Sequence, residues 1–279
     1  MAKRILVPLD GSDYSKNSIK VAIEMAQKTD GTVIGLGIID KKEIEESAIG
    51  AGIGASYFAE KLEKHKLNEA IEKIKNFLED FEKECKAASV KYELYKKSGV
   101  PFEMIVELGK TSDMIVIGLK TFFHFETTPE AGETLKELLE VNVCPLLAVP
   151  KTPIKMNGNV LVATDGSVKS AKAMRVFTHV FKHHSNIHKV FVLNVNDDIE
   201  KSDQILKGIE KYLVTHDFKV ETFTRAGKPS DEILKFAKEK GVSKIVMGAY
   251  GESGLSALFF GRTSLRVIES GETPIFFYH

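Results

Sequence analysis

The sequence predicts an α/β chain of two tandem doubly wound domains, residues 1–150 and 154–279, each a five-stranded, mainly parallel sheet flanked by helices. The first supporting observation is internal repetition. Ile5-Leu6-Val7-Pro8-Leu9-Asp10-Gly11-Ser12 returns 155 residues later as Val160-Leu161-Val162-Ala163-Thr164-Asp165-Gly166-Ser167. The second is alternation: short β-branched runs are separated by longer stretches with apolar residues every three or four positions, a pattern that gives parallel strands with right-handed helical crossovers. The third is Pro150-Lys151-Thr152-Pro153, two prolines around a polar link between the copies.

In chain order, the first copy places strands over 5–9, 32–39, 91–95, 114–117 and 146–149. Ile19, Ala22, Ile23 and Ala26 mark one face of the helix after the first strand. Four further echoes follow in order: Leu36 to Asp40 against Leu193 to Asp197, Gly99-Val100-Pro101 against Gly227-Lys228-Pro229, Met114 to Gly118 against Lys244 to Gly248, and Cys144-Pro145 against Thr273-Pro274. Their offset falls from 157 to about 129 after the second echo, so the first copy carries an insertion near 41–66. Ile49 to Tyr57 has a G-x-G-x-G look, but no strand feeds it, which argues against a dinucleotide fingerprint and for a loop before a helix, with a lid left open.

Lysine plus arginine equals aspartate plus glutamate at 39 each, so bulk charge favours neither nucleic acid nor an anionic membrane, and any anion site is local. No apolar run reaches the roughly 18 residues of a membrane helix. Met1-Ala2-Lys3-Arg4 leads straight into a strand-like run, so the expected location is the cytoplasm. Two cysteines, Cys85 and Cys144, suit a reducing compartment.

The stretch Gly248 to Thr263, GAYGESGLSALFFGRT, stands between the fourth strand and the last helix of the second copy. Gly248, Gly251 and Gly261 fit G-x2-G-x9-G. Glycines let backbone amides approach a ligand closely, and a helix N-terminus supplies unpaired N–H groups and partial positive charge, which together suit phosphate. A turn with a helix cap is the alternative. Asp-Gly-Ser likewise reads as a turn and N-cap signature, with Asp165 or Ser167 satisfying free amides.

This glycine spacing, in the last βαβ unit of a doubled chain whose first strands end in Asp-Gly-Ser, resembles the universal stress protein family in its tandem form. The resemblance spans nearly the whole chain. It implies the Rossmann-like, adenine nucleotide alpha hydrolase-like fold, packing of the two repeats through their last strands about a pseudo-twofold axis, and ATP or a related adenine nucleotide as ligand; apart from the resemblance, the Asp165 carboxylate could hold Mg²⁺ against phosphates, with no second carboxylate nearby. It maps first-loop nucleoside contacts onto Ala163, Thr164 and Asp165. Val195 and Met247 become the frame of adenine and sugar, and Gly248, Gly251, Gly261, Arg262, Thr263 and Ser264 the phosphate site. Arg262 stands where the family has Ser or Thr; its backbone amide remains and its guanidinium can fork onto phosphate.

The first copy departs further. Gly132 matches Gly261 and Thr134 matches Thr263, but Glu133 replaces Arg262, and the middle glycine is missing from a segment carrying Phe122, Phe123 and Phe125. A carboxylate there repels phosphate, so the first site is expected to be degenerate, with the phenylalanines packing onto the insertion or the other repeat instead of a base. His179, His183, His184 and His188 cluster near a helix end without a third spaced ligand, so no metal site is assigned.

Motifs for a P-loop, a nucleophile elbow, a zincin and a C-x-x-C pair are absent. The leading expectation is a sensor or regulatory stress-response protein binding nucleotide in its second repeat, with no catalytic residue assigned and a protein partner and further homodimer left open. The alternatives are a non-nucleotide interaction scaffold with a retired phosphate site, a slow ATPase and, last, an ATP-pyrophosphatase-like ligase.

Overall fold

A computed structural model describes residues 1–40, 44, 56–121, 123, 133–181, 187–249 and 261–279. In the first half the order is β1 (Arg4–Leu9), α1 (Asp13–Thr29), β2 (Thr32–Ile39), α2 (Ser56–Ala87), β3 (Lys91–Ser98), α3 (Pro101–Gly109), β4 (Met114–Gly118), α4 (Glu133–Val141) and β5 (Leu146–Val149). The second half repeats it as β6 (Gly158–Thr164), α5 (Val168–Phe181), β7 (Ile187–Val195), α6 (Ile199–Thr215), β8 (Val220–Arg225), α7 (Pro229–Lys240), β9 (Lys244–Met247), α8 (Arg262–Ser270) and β10 (Ile275–Phe277).

Local chemistry sets the helix ends. Ser12 caps α1 by accepting from the Ser15 amide at 3.1 Å. Both α3 and α7 begin on proline, whose fixed φ and missing N–H suit the first helical position. Gly241 ends α7 at φ +56, a left-handed conformation that glycine takes without a Cβ clash.

The two five-stranded sheets join into one, in the order β3-β2-β1-β4-β5-β10-β9-β6-β7-β8. All neighbours are parallel except β5 and β10, which pair antiparallel with Ile275 opposite Ala148, Phe276 opposite Leu147 and Phe277 opposite Leu146. The last strands therefore join the halves. The reason is exposure: β5 and β10 are wholly apolar and buried, and a buried strand edge without hydrogen-bond partners is costly.

Alternate strand residues supply two apolar layers that both run across this seam. Val7, Val116, Leu147, Phe276, Val246 and Val162 face α1, α2, α5 and α6, whereas Leu6, Ile115, Leu146, Ile275, Ile245 and Leu161 face α3, α4, α7 and α8. Asn17 of α1 fixes the link between the halves, donating from Nδ2 to the carbonyls of Pro150 (2.8 Å) and Thr152 (2.9 Å).

Part of the insertion is helical: residues 56–66 lie in α2, which reaches 32 residues against 17 in its counterpart α6. The helix sits tightly on β2. A Cβ at Gly35 would come 2.8 Å from the Phe81 ring, and one at Gly37 2.5 Å from Ile74 Cγ2. Most of the G-x-G-x-G stretch lies outside the described residues.

Cys85 and Cys144 are buried, and loss of solvation pushes both thiols up to about 12, so they behave as small core residues. Among the described residues no helix is long and apolar enough to cross a membrane.

Candidate nucleotide crevice

In the second half the chain runs from β6 outward to β7 in one direction and from β9 to β10 in the other. The order reverses between β6 and β9, and a doubly wound sheet opens a crevice beyond the carboxyl ends of its strands at that point. Three predicted residues share one face there. Ala163 and Met247 are buried in the layer under α7 and α8, and half-buried Val195 packs against it.

Thr164 faces the other way. Its Oγ1 lies 3.1 Å from Ser170 Oγ and accepts from the Gly166 amide at 3.1 Å, while its carbonyl accepts from Asn194 Nδ2 at 2.7 Å. Asn194 is 1% exposed, and its Oδ1 has no hydrogen-bond partner among the described residues. Asp165 is exposed, and its Oδ1 accepts from the Ser167 amide at 3.0 Å. Ser167 Oγ in turn caps α5 by accepting from the Ser170 amide at 3.2 Å. Turn and cap thus coexist in one tripeptide. Partial loss of water works to raise the Asp165 carboxyl, but hydrogen bonds from Ser167, from Ser170 and from its own amide outweigh it and hold the group below the usual carboxylate value.

The opposite wall is the start of α8. Gly261 is its N-cap and provides no side-chain hydrogen bond to the first-turn amides. Arg262 is exposed at the first helical position, Thr263 is half-buried, and Ser264 is 2% exposed. Ser264 Oγ donates to the Gly248 carbonyl at 3.3 Å, tying the helix to the end of β9. The structure thereby brings together Ala163, Thr164, Asp165, Val195, Met247, Gly248, Gly261, Arg262, Thr263 and Ser264 on strand ends and helix starts around one crevice. Gly251 lies outside the described residues.

Sequence reasoning missed Lys169. It is the second residue of α5, and a Cβ on Gly248 would come within 3.1 Å of its carbonyl carbon. The matched position in the first copy is Tyr14.

In the first half the matched positions lie close against other side chains. Asp10 is 5% exposed, and its Oδ1 accepts from the Ser12 amide (2.9 Å) and Ser12 Oγ (2.7 Å). Gly11, at φ +75, lies so close to the Phe77 ring that a Cβ would sit 2.2 Å from it. At the end of β4 a Cβ on Gly118 would meet Tyr14 Cβ at 2.5 Å. Phe123 is 3% exposed and lies in the apolar layer that also holds Leu135 and Leu138 of α4. Phe122, Phe125 and Gly132 lie outside the described residues, as do His183 and His184. His179 and His188 are exposed, and no group of three or more metal-capable side chains occurs among the described residues.

A duplicated, doubly wound α/β chain with a glycine at the strand end of a topological switch point belongs to the class of parallel-sheet proteins whose ligand sites lie beyond the carboxyl ends of the strands. A family model narrows this: the universal stress protein family matches residues 1–150 and 197–279, and the chain belongs to that family. Universal stress protein Slr1230 of Synechocystis sp. is 24% identical over 286 residues, covering 98% of both chains. Universal stress protein YxiE of Bacillus subtilis is 31% identical over 144 residues, 43% of this chain and 97% of its own. A universal stress protein crystal structure from Archaeoglobus fulgidus shares the fold at a TM-score of 0.75 and 20% identity, covering 99% of this chain and 98% of that one.

Proposed function

We propose that the second repeat binds an adenine nucleotide, ATP as the leading candidate, and that the protein acts as a sensor or regulator in stress adaptation, with the first repeat as its structural partner. The observation that carries this is the start of α8: amides that their N-cap Gly261 does not cap, headed by Arg262 and tied by Ser264 to the end of β9. Such a helix start suits an anion, and the guanidinium adds charge-assisted hydrogen bonds to phosphate oxygens. Across the crevice, Ala163, Val195 and Met247 offer apolar surface for a base, and the Asp165 carboxylate suits a ribose hydroxyl or a phosphate-bound Mg²⁺.

Native mass spectrometry of the purified protein, followed by calorimetric titration with MgATP, tests the reading. One nucleotide per chain is expected, lost in Gly251→Val, where a branched side chain enters the glycine series. A wild-type protein that binds no adenine nucleotide would favour the interaction-scaffold alternative.

A further inference from the structure

The turn at the end of β6 is held from the neighbouring strand. Thr164 and Asn194 are partners in the β6–β7 register, and the Asn194 side chain donates from Nδ2 to the Thr164 carbonyl at 2.7 Å. That oxygen and the Asp165 amide belong to one planar peptide, so fixing the oxygen also fixes the direction of the Asp165 N–H. The Asp165 amide in turn hydrogen-bonds its own carboxylate, which ties the side chain to that peptide plane. Thr164 Oγ1 accepts from the Gly166 amide and meets Ser170 Oγ, to which Ser167 Oγ donates at 3.3 Å, so turn and helix start form one network. The anchor opposes stability. Donation to a carbonyl settles which end of the Asn194 amide is nitrogen, and it leaves Oδ1 as a buried acceptor with no partner among the described residues. The first half does without one. Gly37 holds the matched position, and a Cβ there would lie 2.5 Å from Ile74 Cγ2, because α2 packs into the place. Leu9, the match of Thr164, has no hydroxyl to receive the turn, and the aspartate that follows it is buried, whereas Asp165 is exposed.

We infer that Asn194 is a positioning residue of the second repeat: through the Thr164–Asp165 peptide it holds the Asp165 carboxylate in the geometry that serves the nucleotide. This rests on the nucleotide reading above. Asn194 acts through Asp165, not by touching the ligand, and its donor group is what the role requires. An apolar residue of the same size would fill the space and lose the hold on the turn.

The test combines calorimetric titration with MgATP and carbon NMR titration of the Asp165 carboxyl in wild type, Asn194→Ala and Asn194→Asp, with Asp165→Ala and the Asn194→Ala/Asp165→Ala pair added for binding. Urea denaturation establishes that each variant is folded. Asn194→Ala should weaken MgATP about five- to tenfold and raise the Asp165 carboxyl toward the ordinary carboxylate value, since the amide is no longer held toward it. Asp165→Ala should weaken binding similarly, and the pair no further than Asp165→Ala alone. In Asn194→Asp a protonated carboxyl can donate to the Thr164 carbonyl and an ionised one cannot, so affinity relative to wild type should recover as pH falls from about 8 to about 5. That variant, folded at the lower pH, carries the test if Asn194→Ala does not fold. Additive losses in the pair, or an Asp165 carboxyl that does not move, would overturn the positioning role and leave the nucleotide reading intact. A wild type without affinity for ATP, in which Asn194→Ala still shifts the Asp165 carboxyl, would sink the nucleotide reading and uphold the hold on Asp165.

Discussion

The two halves share a scaffold and differ at the crevice. Helices α4 and α8 are both nine residues long and begin on matched positions, yet one begins with Glu133 and the other with Arg262. Asp10 is shut in at 5% exposure, while its counterpart Asp165 is exposed. Tyr14 and Lys169 occupy the same place against the fourth strand's closing glycine. Packing dictates what both halves keep, namely strand alternation, seam and apolar layers. The rim, where little is buried, is where they diverge.

The largest effect should come from the glycine turns. Gly11→Ala forces a Cβ into the left-handed region and against the Phe77 ring, and should cost about 2–4 kcal/mol in urea denaturation. Gly166→Ala, at φ +81, meets only the Cδ1 end of Ile205 at 2.7 Å and should cost about 1–2 kcal/mol. Equal losses would show that Phe77 yields as easily as Ile205 and erase this difference between the halves.

Next comes the charge at the helix start. Arg262→Glu should weaken MgATP binding by about 10- to 100-fold, since it removes charge-assisted hydrogen bonds and adds repulsion. The reciprocal Glu133→Arg should create no new site, because Tyr14 and the buried Asp10 still close the first crevice. Titration of the double variant showing nucleotide bound to the first half would break the comparison.

The smallest contrast lies at the opposite edge of the sheet, where β4 opens with Met114 and β9 with Lys244, both fully buried. Lys244 Nζ donates to the Met156 carbonyl at 2.7 Å, but desolvation, with a lesser contribution from Lys28, lowers its pKa to about 8. The ordinary lysine value of 10.5 makes the unfolded chain the stronger proton binder between about pH 8 and 10.5, so stability should rise with pH across that window. Lys244→Met should flatten the rise and stabilise the protein at pH 7 by roughly 1–2 kcal/mol. Denaturation midpoints that stay parallel for the two proteins across that window would show the lysine to be fully compensated.

The strands were legible because period-two and period-three-to-four patterns report burial directly, and the repeat offset because five echoes recur in order; the crevice residues were assigned from the glycine spacing and the family resemblance. Two features were not legible. The length of α2 was hidden because the insertion's Gly-rich half masked a helix beginning at Ser56. Lys169 escaped notice because a lysine on an amphipathic helix carries no local signal. Its meaning comes from the approach of α5 to Gly248, a tertiary fact.

The antiparallel β5 and β10 junction also bears on stoichiometry. Two free copies meeting through these edges would associate in proportion to their concentration, and identical copies would bring two equivalent crevices. Joining them through residues 150–153 makes the encounter intramolecular and independent of dilution. One copy can then surrender its ligand chemistry and still be retained as the permanent cover of its neighbour's open edge.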